Sequence, residues 1–184
     1  MRVLNSLSGR FLILTVVFVM LAEILIFVPS IARFREDFLM SRLERVQIAS
    51  LALLASEDIS PELQDELLHN AGVFNVVLRR DEARQLILSS PIPAPISATF
   101  DMRDATPFEL IRDAMARLAT PDPQVIRVIG EPVRMAGLLI EVTLDTADLR
   151  MAMIDYGLRI LILSAVISGI TALLLFLAVR RFLV

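Results

Sequence analysis

The chain has no cysteine, no lysine and no tryptophan, and only one histidine and one tyrosine among 184 residues. Without cysteine there is no disulfide framework, no thiolate nucleophile and no thiolate metal site. All 18 basic residues are arginine. With a net charge of −3, that bias reads as the coding habit of a GC-rich genome rather than as a nucleic-acid footprint. Catalytic signatures are missing too: no phosphate-binding P-loop, no Gly-x-Ser-x-Gly elbow and no His-Glu-x-x-His zinc motif occurs. Neither a catalytic residue, a metal site nor a cofactor is therefore expected.

Apolar residues are abundant. They make up 56% of the chain, with only 6% aromatic and a mean hydropathy of +0.70. Soluble domains average about 45–50% apolar, so a membrane component is expected. Two runs reach the roughly 20 residues that a spanning helix needs. The first, residues 11–31, is broken by one acid, Glu23; the second, residues 160–179, carries no charge. Arg2 and Arg10 precede the first run, and Arg180 and Arg181 follow the second. Short arginine-bearing ends stay on the cytoplasmic side, so both termini are expected inside and the middle outside. Tyr156 and Arg159 stand where an interfacial anchor belongs. The stretch Ser30-Ile31-Ala32 loosely fits a signal-peptidase site. The run before it is too long for the 7–15 residues of a signal-peptide core, which favours a retained anchor.

This divides the chain into a cytoplasmic end (1–10), a first span (11–31), an external domain (32–159), a second span (160–179) and a cytoplasmic end (180–184). The external part carries 14 arginines and 20 acids, enough negative charge to argue against nucleic acid or anionic lipid as its partner. Its length suffices for one domain with its own core.

Residues 33–56 contain no glycine or proline and repeat apolar residues at Leu39, Leu43, Val46 and Leu53, with Ser50 in step. That spacing predicts a helix with a seam, suited either to a partner helix or to the domain's own core. Pro29 predicts a kink where the spanning helix becomes the domain helix. Ser60-Pro61 opens a short helix that Gly72 stops. Residues 73–79 and 85–90 read as strands joined by a turn at Arg80-Asp81-Glu82-Ala83, and 97–102 as a third strand. Thr106-Pro107-Phe108-Glu109 is a capping box opening a helix to about Leu118. Residues 124–130 and 138–144 form a second hairpin around residues 131–137. Asp145 or Thr146 caps the helix that runs into the second span. The expected fold is α+β: two transmembrane helices bracketing a small antiparallel sheet flanked by helices.

This layout resembles the input half of bacterial transmembrane sensors, and the domain is similar to the PDC, or Cache-like, sensor fold. The stretch from Glu23 to Phe34 (EILIFVPSIARF) resembles the first-span exit of alphaproteobacterial sensor histidine kinases. Arg180-Arg181-Phe182-Leu183-Val184 resembles the opening of a HAMP linker. The resemblance implies a homodimer in the bacterial inner membrane, with a periplasmic domain that meets a small ligand or a periplasmic protein. It implies a cytoplasmic kinase following the linker, with a response regulator as partner through that kinase alone. The same module could serve a chemoreceptor or a cyclic-nucleotide signalling enzyme, or the chain could be a non-signalling membrane scaffold.

Several residues are candidates for a role. In alternating strands Arg127 and Glu141 share a hairpin, so they are expected nearly opposite each other, as a cross-strand ion pair or as an arginine aimed at an anionic ligand. His69 ends a helix, where a charge–dipole contact is expected. Glu57, Asp58, Glu62, Asp65 and Glu66 cluster at a helix start without the alternation of a calcium loop. Leu39, Leu43 and Val46 are expected at a dimer contact. Glu23 should face protein or be protonated, since an ionised carboxylate at mid-bilayer costs about 2.5–3.5 kcal/mol. Ser164, Ser168 and Ala172 form a small-residue face at matching depth, so Glu23 is expected to hydrogen-bond near Ser168, in its own subunit or the partner.

Topology is directly testable. A reporter fused after Asp101 should report an external location, and one fused after Arg181 a cytoplasmic one. A cytoplasmic signal from the Asp101 fusion would overturn the two-span arrangement.

Overall fold

The computed structural model describes residues 7–54, 60–79, 85–132 and 137–183. Arg2, Glu57, Asp58, the turn at Arg80 to Ala83 and Val184 lie outside the described residues, as do the side chains of Arg10, Leu53 and Arg180. Nine elements follow one another among the described residues. They are α1 (Leu7–Leu54), α2 (Pro61–Ala71), β1 (Asn75–Arg79), β2 (Gln85–Ser89), β3 (Ile96–Asp101), α3 (Pro107–Ala119), β4 (Val125–Gly130), β5 (Leu139–Asp145) and α4 (Ala147–Leu183). The chain divides into two compact units, residues 32–153 and the pair of segments 1–31 and 154–184.

In the second of these, α1 and α4 are each long and apolar enough to cross a membrane. Large apolar side chains such as Phe18, Leu25, Leu163 and Leu174 are exposed around both helices. A helix that is apolar on every side suits a hydrocarbon surround rather than water. Helix α1 runs through Pro29 without a break. The ring removes one backbone donor, and the neighbouring Ser30 Oγ donates to the Ile26 carbonyl at 2.7 Å.

The α/β unit is built on a five-stranded sheet of order β2-β1-β5-β4-β3. Strands β1, β2, β4 and β5 pair antiparallel, but β3 and β4 are parallel. The sheet is therefore mixed, not antiparallel as expected. The reason is the crossover: α3 carries the chain from the end of β3 back to the side where β3 began, so β4 must run in the same direction.

Alternate residues segregate to two faces. Val76, Leu78, Leu88, Val128, Ile140, Val142 and Leu144 are buried, and the register places Val142 between Val76 and Val128. Helix α1 covers this face. Leu39, Leu43, Val46 and Ser50 are all at most 2% exposed, and a side chain on Gly130 would collide with Leu43 Cδ1 at 2.5 Å. The α1 stripe thus belongs to the domain's own core. The expected dimer contact through Leu39, Leu43 and Val46 is corrected: buried side chains present nothing to a partner helix.

Local signals hold the shorter elements. Ser60 accepts from Leu63 N at 3.2 Å at the start of α2. The helix ends at Gly72, whose φ of 67° is left-handed. There the Arg42 guanidinium lies against the glycine and donates to the Ala71 carbonyl at 2.8 Å, so a Cβ would be both strained and obstructed. The Thr106 capping box forms, with Glu109 Oε2 accepting from Thr106 N at 2.9 Å. Those contacts hold the Glu109 carboxyl below its usual range. At the start of α4, Asp145 Oδ1 accepts from Ala147 N at 2.7 Å and the Thr146 carbonyl accepts from Arg150 N at 2.9 Å.

Arg117 ties these parts together. It is 7% exposed. Its Nη1 donates to Thr146 Oγ1 at 2.8 Å and to Gln124 Oε1 at 3.3 Å. Its Nη2 donates to the carbonyls of Asp122, at 2.7 Å, and Thr120. One side chain joins the end of α3, the Pro121-Asp122-Pro123 loop, the start of β4 and the first turn of α4. Arg117→Met keeps the bulk but strands acceptors, some of which water can reach, so a loss of about 1–3 kcal/mol is expected. In a chain of this length that lowers the melting temperature by about 2–4 °C per kcal/mol. Calorimetry in detergent should show this drop, whereas Asp155→Asn, which breaks an exposed pair with Arg159, should leave the transition nearly unchanged.

Candidate functional site

Two places hold polar groups in apolar surroundings. The first lies between α1 and α4 in the membrane-type unit. Glu23, Phe27 and Ile31 fall four residues apart, on one face of α1. Gly157, Ser164 and Ser168 recur at helical spacing on α4. A Cβ on Gly157 would come within 3.2 Å of both Ile31 Cδ1 and Phe27 Cε2, so the glycine admits a close approach. Further along, Ser164 Oγ donates to Glu23 Oε1 at 3.0 Å and Ser168 Oγ to the same oxygen at 3.4 Å. Both partners are in the same chain as Glu23, and Ser164 is the nearer. Ala172, next on the small-residue face, is exposed. A cavity of about 400 Å³ lined by Ala22, Ile26, Leu163 and Ile167 adjoins the carboxylate.

The second place is the interior of the α/β unit, where the arginines are. Arg35 is 2% exposed, with its guanidinium 4.4 Å from the Phe100 ring centroid. Burial pushes its pKa down, as does the Arg117 charge, while Asp113 opposes the shift. Arg117 is lowered by burial and by Arg150. The Nε atoms of Arg35, Arg117 and Arg150 are buried without hydrogen-bond partners. Position alone could have found the first two. Arg35 stands one turn before Leu39 on the α1 stripe, and Arg117 follows Leu110 and Ala114 on the inner face of α3.

Arg127 and Glu141 do meet, with Nε 2.9 Å from Oε1. They are diagonal rather than opposite, because Arg127 pairs with Thr143 and Glu141 with Ile129. The Nε–H is not aligned on the carboxylate, so it counts as unpartnered by hydrogen-bond geometry despite the short distance. The contact is an ion pair without a hydrogen bond. Both side chains keep some exposure, 38% and 22%, so its contribution is under about 1 kcal/mol. With its charge answered by Glu141, Arg127 offers less to an anion than Arg35 does.

His69 is exposed in the last turn of α2, and its carbonyl accepts from Gly72 N at 2.9 Å. Glu62 in the first turn is held below the usual carboxylate range by its own backbone N–H and the Ser60 hydroxyl. Asp65 and Glu66 are exposed. Among the described residues no group of three or more His, Asp or Glu could hold a metal ion. No known protein family, curated protein or solved structure matches the chain.

The Glu23 contact generates a measurable expectation. Glu23→Leu removes the acceptor that both serines share and should loosen the α1–α4 pair by about 0.6–1.7 kcal/mol; Glu23→Gln keeps an acceptor and should not. Cysteines at Val19 and Ile167, which line the same cavity, should crosslink within one chain several-fold less efficiently in Glu23→Leu. Equal efficiency in both variants would mean that the serine contacts do not hold the helices.

Proposed function

We propose that this chain is the sensing and signal-transmitting half of a bacterial transmembrane receptor, a two-component sensor histidine kinase in the first instance. In this reading the α/β unit is a PDC/Cache-like domain in the periplasm. The apolar parts of α1 and α4 cross the inner membrane, and the chain acts as a homodimer. A periplasmic cue alters packing in the domain, and the two helices carry the change to a cytoplasmic kinase and, through it, to a response regulator.

One observation carries the reading. Both membrane-length helices also supply core residues of the α/β unit: α1 contributes Leu39, Leu43 and Val46, and α4 contributes Leu149 and Met153, all at most 2% exposed. No loop intervenes between the apolar segment and the buried contacts in either helix. A ligand can shift an equilibrium only as far as its differential contacts with two states allow. Direct continuity lets such contacts bias a helix without a linker to dissipate them. The dimer contact in this reading uses surface other than the Leu39–Val46 stripe.

The test is a chimera. The chain is joined in frame to the HAMP linker and kinase of a receptor with a transcriptional reporter. Inserting one to four residues at the junction should change output with the roughly 3.6-residue period of a helix. Met153→Ala, which opens a cavity in the core, should shift basal output several-fold. Output indifferent to both insertion phase and Met153→Ala would leave a membrane scaffold as the better reading.

A further inference from the structure

Helix α3 borders two cavities that share Arg35, Phe100 and Asp113 as lining. The outer one, about 300 Å³, reaches the loop between β3 and α3. The inner one, about 100 Å³, also touches Arg117. Arg35 is 2% exposed. Its Nε has no hydrogen-bond acceptor, and neither has that of Arg117. The face of Phe100 answers part of the Arg35 charge. The opposing charge on Asp113 is already held by Arg112, with Nε and Nη2 each 2.9 Å from Oδ1. An arginine cannot shed its proton to escape, and an ion taken out of water costs several kcal/mol unless it is paired. Two guanidinium groups with unused donors at one small cavity therefore call for an anion.

The rim limits which anion fits. Asp101 is engaged by Arg103, whose Nε donates at 2.9 Å, and its carboxyl is held down to about 2. Glu109 is committed to the Thr106 cap. Glu109 and Asp104 still leave negative charge in the lining of the outer cavity, which disfavours a multiply charged solute. Both cavities are lined by a planar guanidinium lying over an aromatic ring, Arg35 over Phe100, which suits a planar group stacked alongside.

We propose that the paired cavities bind a small planar monoanion, a short monocarboxylate or nitrate, whose charge answers Arg35 and Arg117. This names a ligand class for the receptor reading and rests on that reading only for its meaning as a signal. Binding is tested without any output domain, so its failure and the failure of the receptor reading are separate results.

The experiment is isothermal titration of the full 184-residue chain in detergent micelles, at constant ionic strength, with sodium acetate, sodium nitrate or sodium sulfate. Saturable binding of acetate or nitrate at millimolar concentration or below is expected, with none for sulfate. Tighter acetate binding identifies a carboxylate as the ligand, and tighter nitrate binding an inorganic anion. Arg35→Met should weaken binding at least about tenfold, while Arg127→Met leaves it unchanged. Should Arg35→Met fail to fold, Arg35→Lys replaces it, since it keeps a charge but loses Nε and should bind more weakly than Arg127→Met. The proposal is overturned by the lack of saturable heat with both acetate and nitrate in a chain that melts cooperatively. It is equally overturned by equal affinity in the Arg35 and Arg127 variants, or by sulfate binding as tightly as either monoanion.

Discussion

The α/β unit depends on one seam, the stripe of α1 that lies on the buried face of the sheet. Four of the five strands present seven or more buried apolar side chains to that side. At about 25 cal/mol per Å² of apolar surface, leaving them open to water would cost more than a domain's whole net stability. Leu39, Leu43 and Val46 close the face, and the missing side chain at Gly130 lets Leu43 come close enough to do so. Helix α3 lies on the same side, since its Ala116 and Arg117 line one cavity with Arg35 of α1 and with Phe100 and Ile126 of the sheet. Arg35, one turn earlier on the same stripe, is carried into the interior by that geometry rather than by any need of its own.

Much of this could be read from punctuation. Ser60-Pro61, Gly72 and the Thr106-Pro107-Phe108-Glu109 box each name a helix end through a local hydrogen bond or a backbone conformation, and the helices begin and end there. Strand existence followed from alternation. Three features were not legible, each because it depends on contacts distant in sequence. Strand direction was one: nothing within β3 says that its neighbour will be β4 in parallel. The register between β4 and β5 was another, and a two-residue offset made Arg127 and Glu141 diagonal. The third was the choice between partner and self for the α1 stripe, since both uses demand the same spacing. Glu23 was legible for the opposite reason. A lone carboxylate in an apolar run has so few ways to be satisfied that depth along a helix nearly selects its partners.

Three ionisable side chains in apolar surroundings form a series in how fully they are answered. Arg117 donates to four acceptors and holds four segments. Glu23 accepts from two hydroxyls through one carboxyl oxygen. Arg35 has a ring face and an acid already claimed by another arginine. Structural polar groups in interiors are normally saturated, because a half-satisfied one destabilises more than an apolar replacement. Four bonds mark Arg117 as a fastener with its Nε left over, and the larger shortfall at Arg35 marks a place with capacity to spare.

These two arginines share a cavity, which joins the fastener to the open position. Thr146 Oγ1 accepts from both Arg117 Nη1 and Gln124 N, and Arg150 Nη2 reaches the Leu118 carbonyl at 3.3 Å. The first turn of α4 is thus held by the last turn of α3 through two arginines. An anion that drew Arg117 toward the cavity would compete for the donor now spent on Thr146, and the hydroxyl would keep only its bond from Gln124. Each such hydrogen bond contributes about 1 kcal/mol net, more when the donor is charged. That is the scale of a typical coupling free energy between sites, about 1–3 kcal/mol. A small shift at Arg117 is therefore sufficient to change how firmly α4 is held at its start.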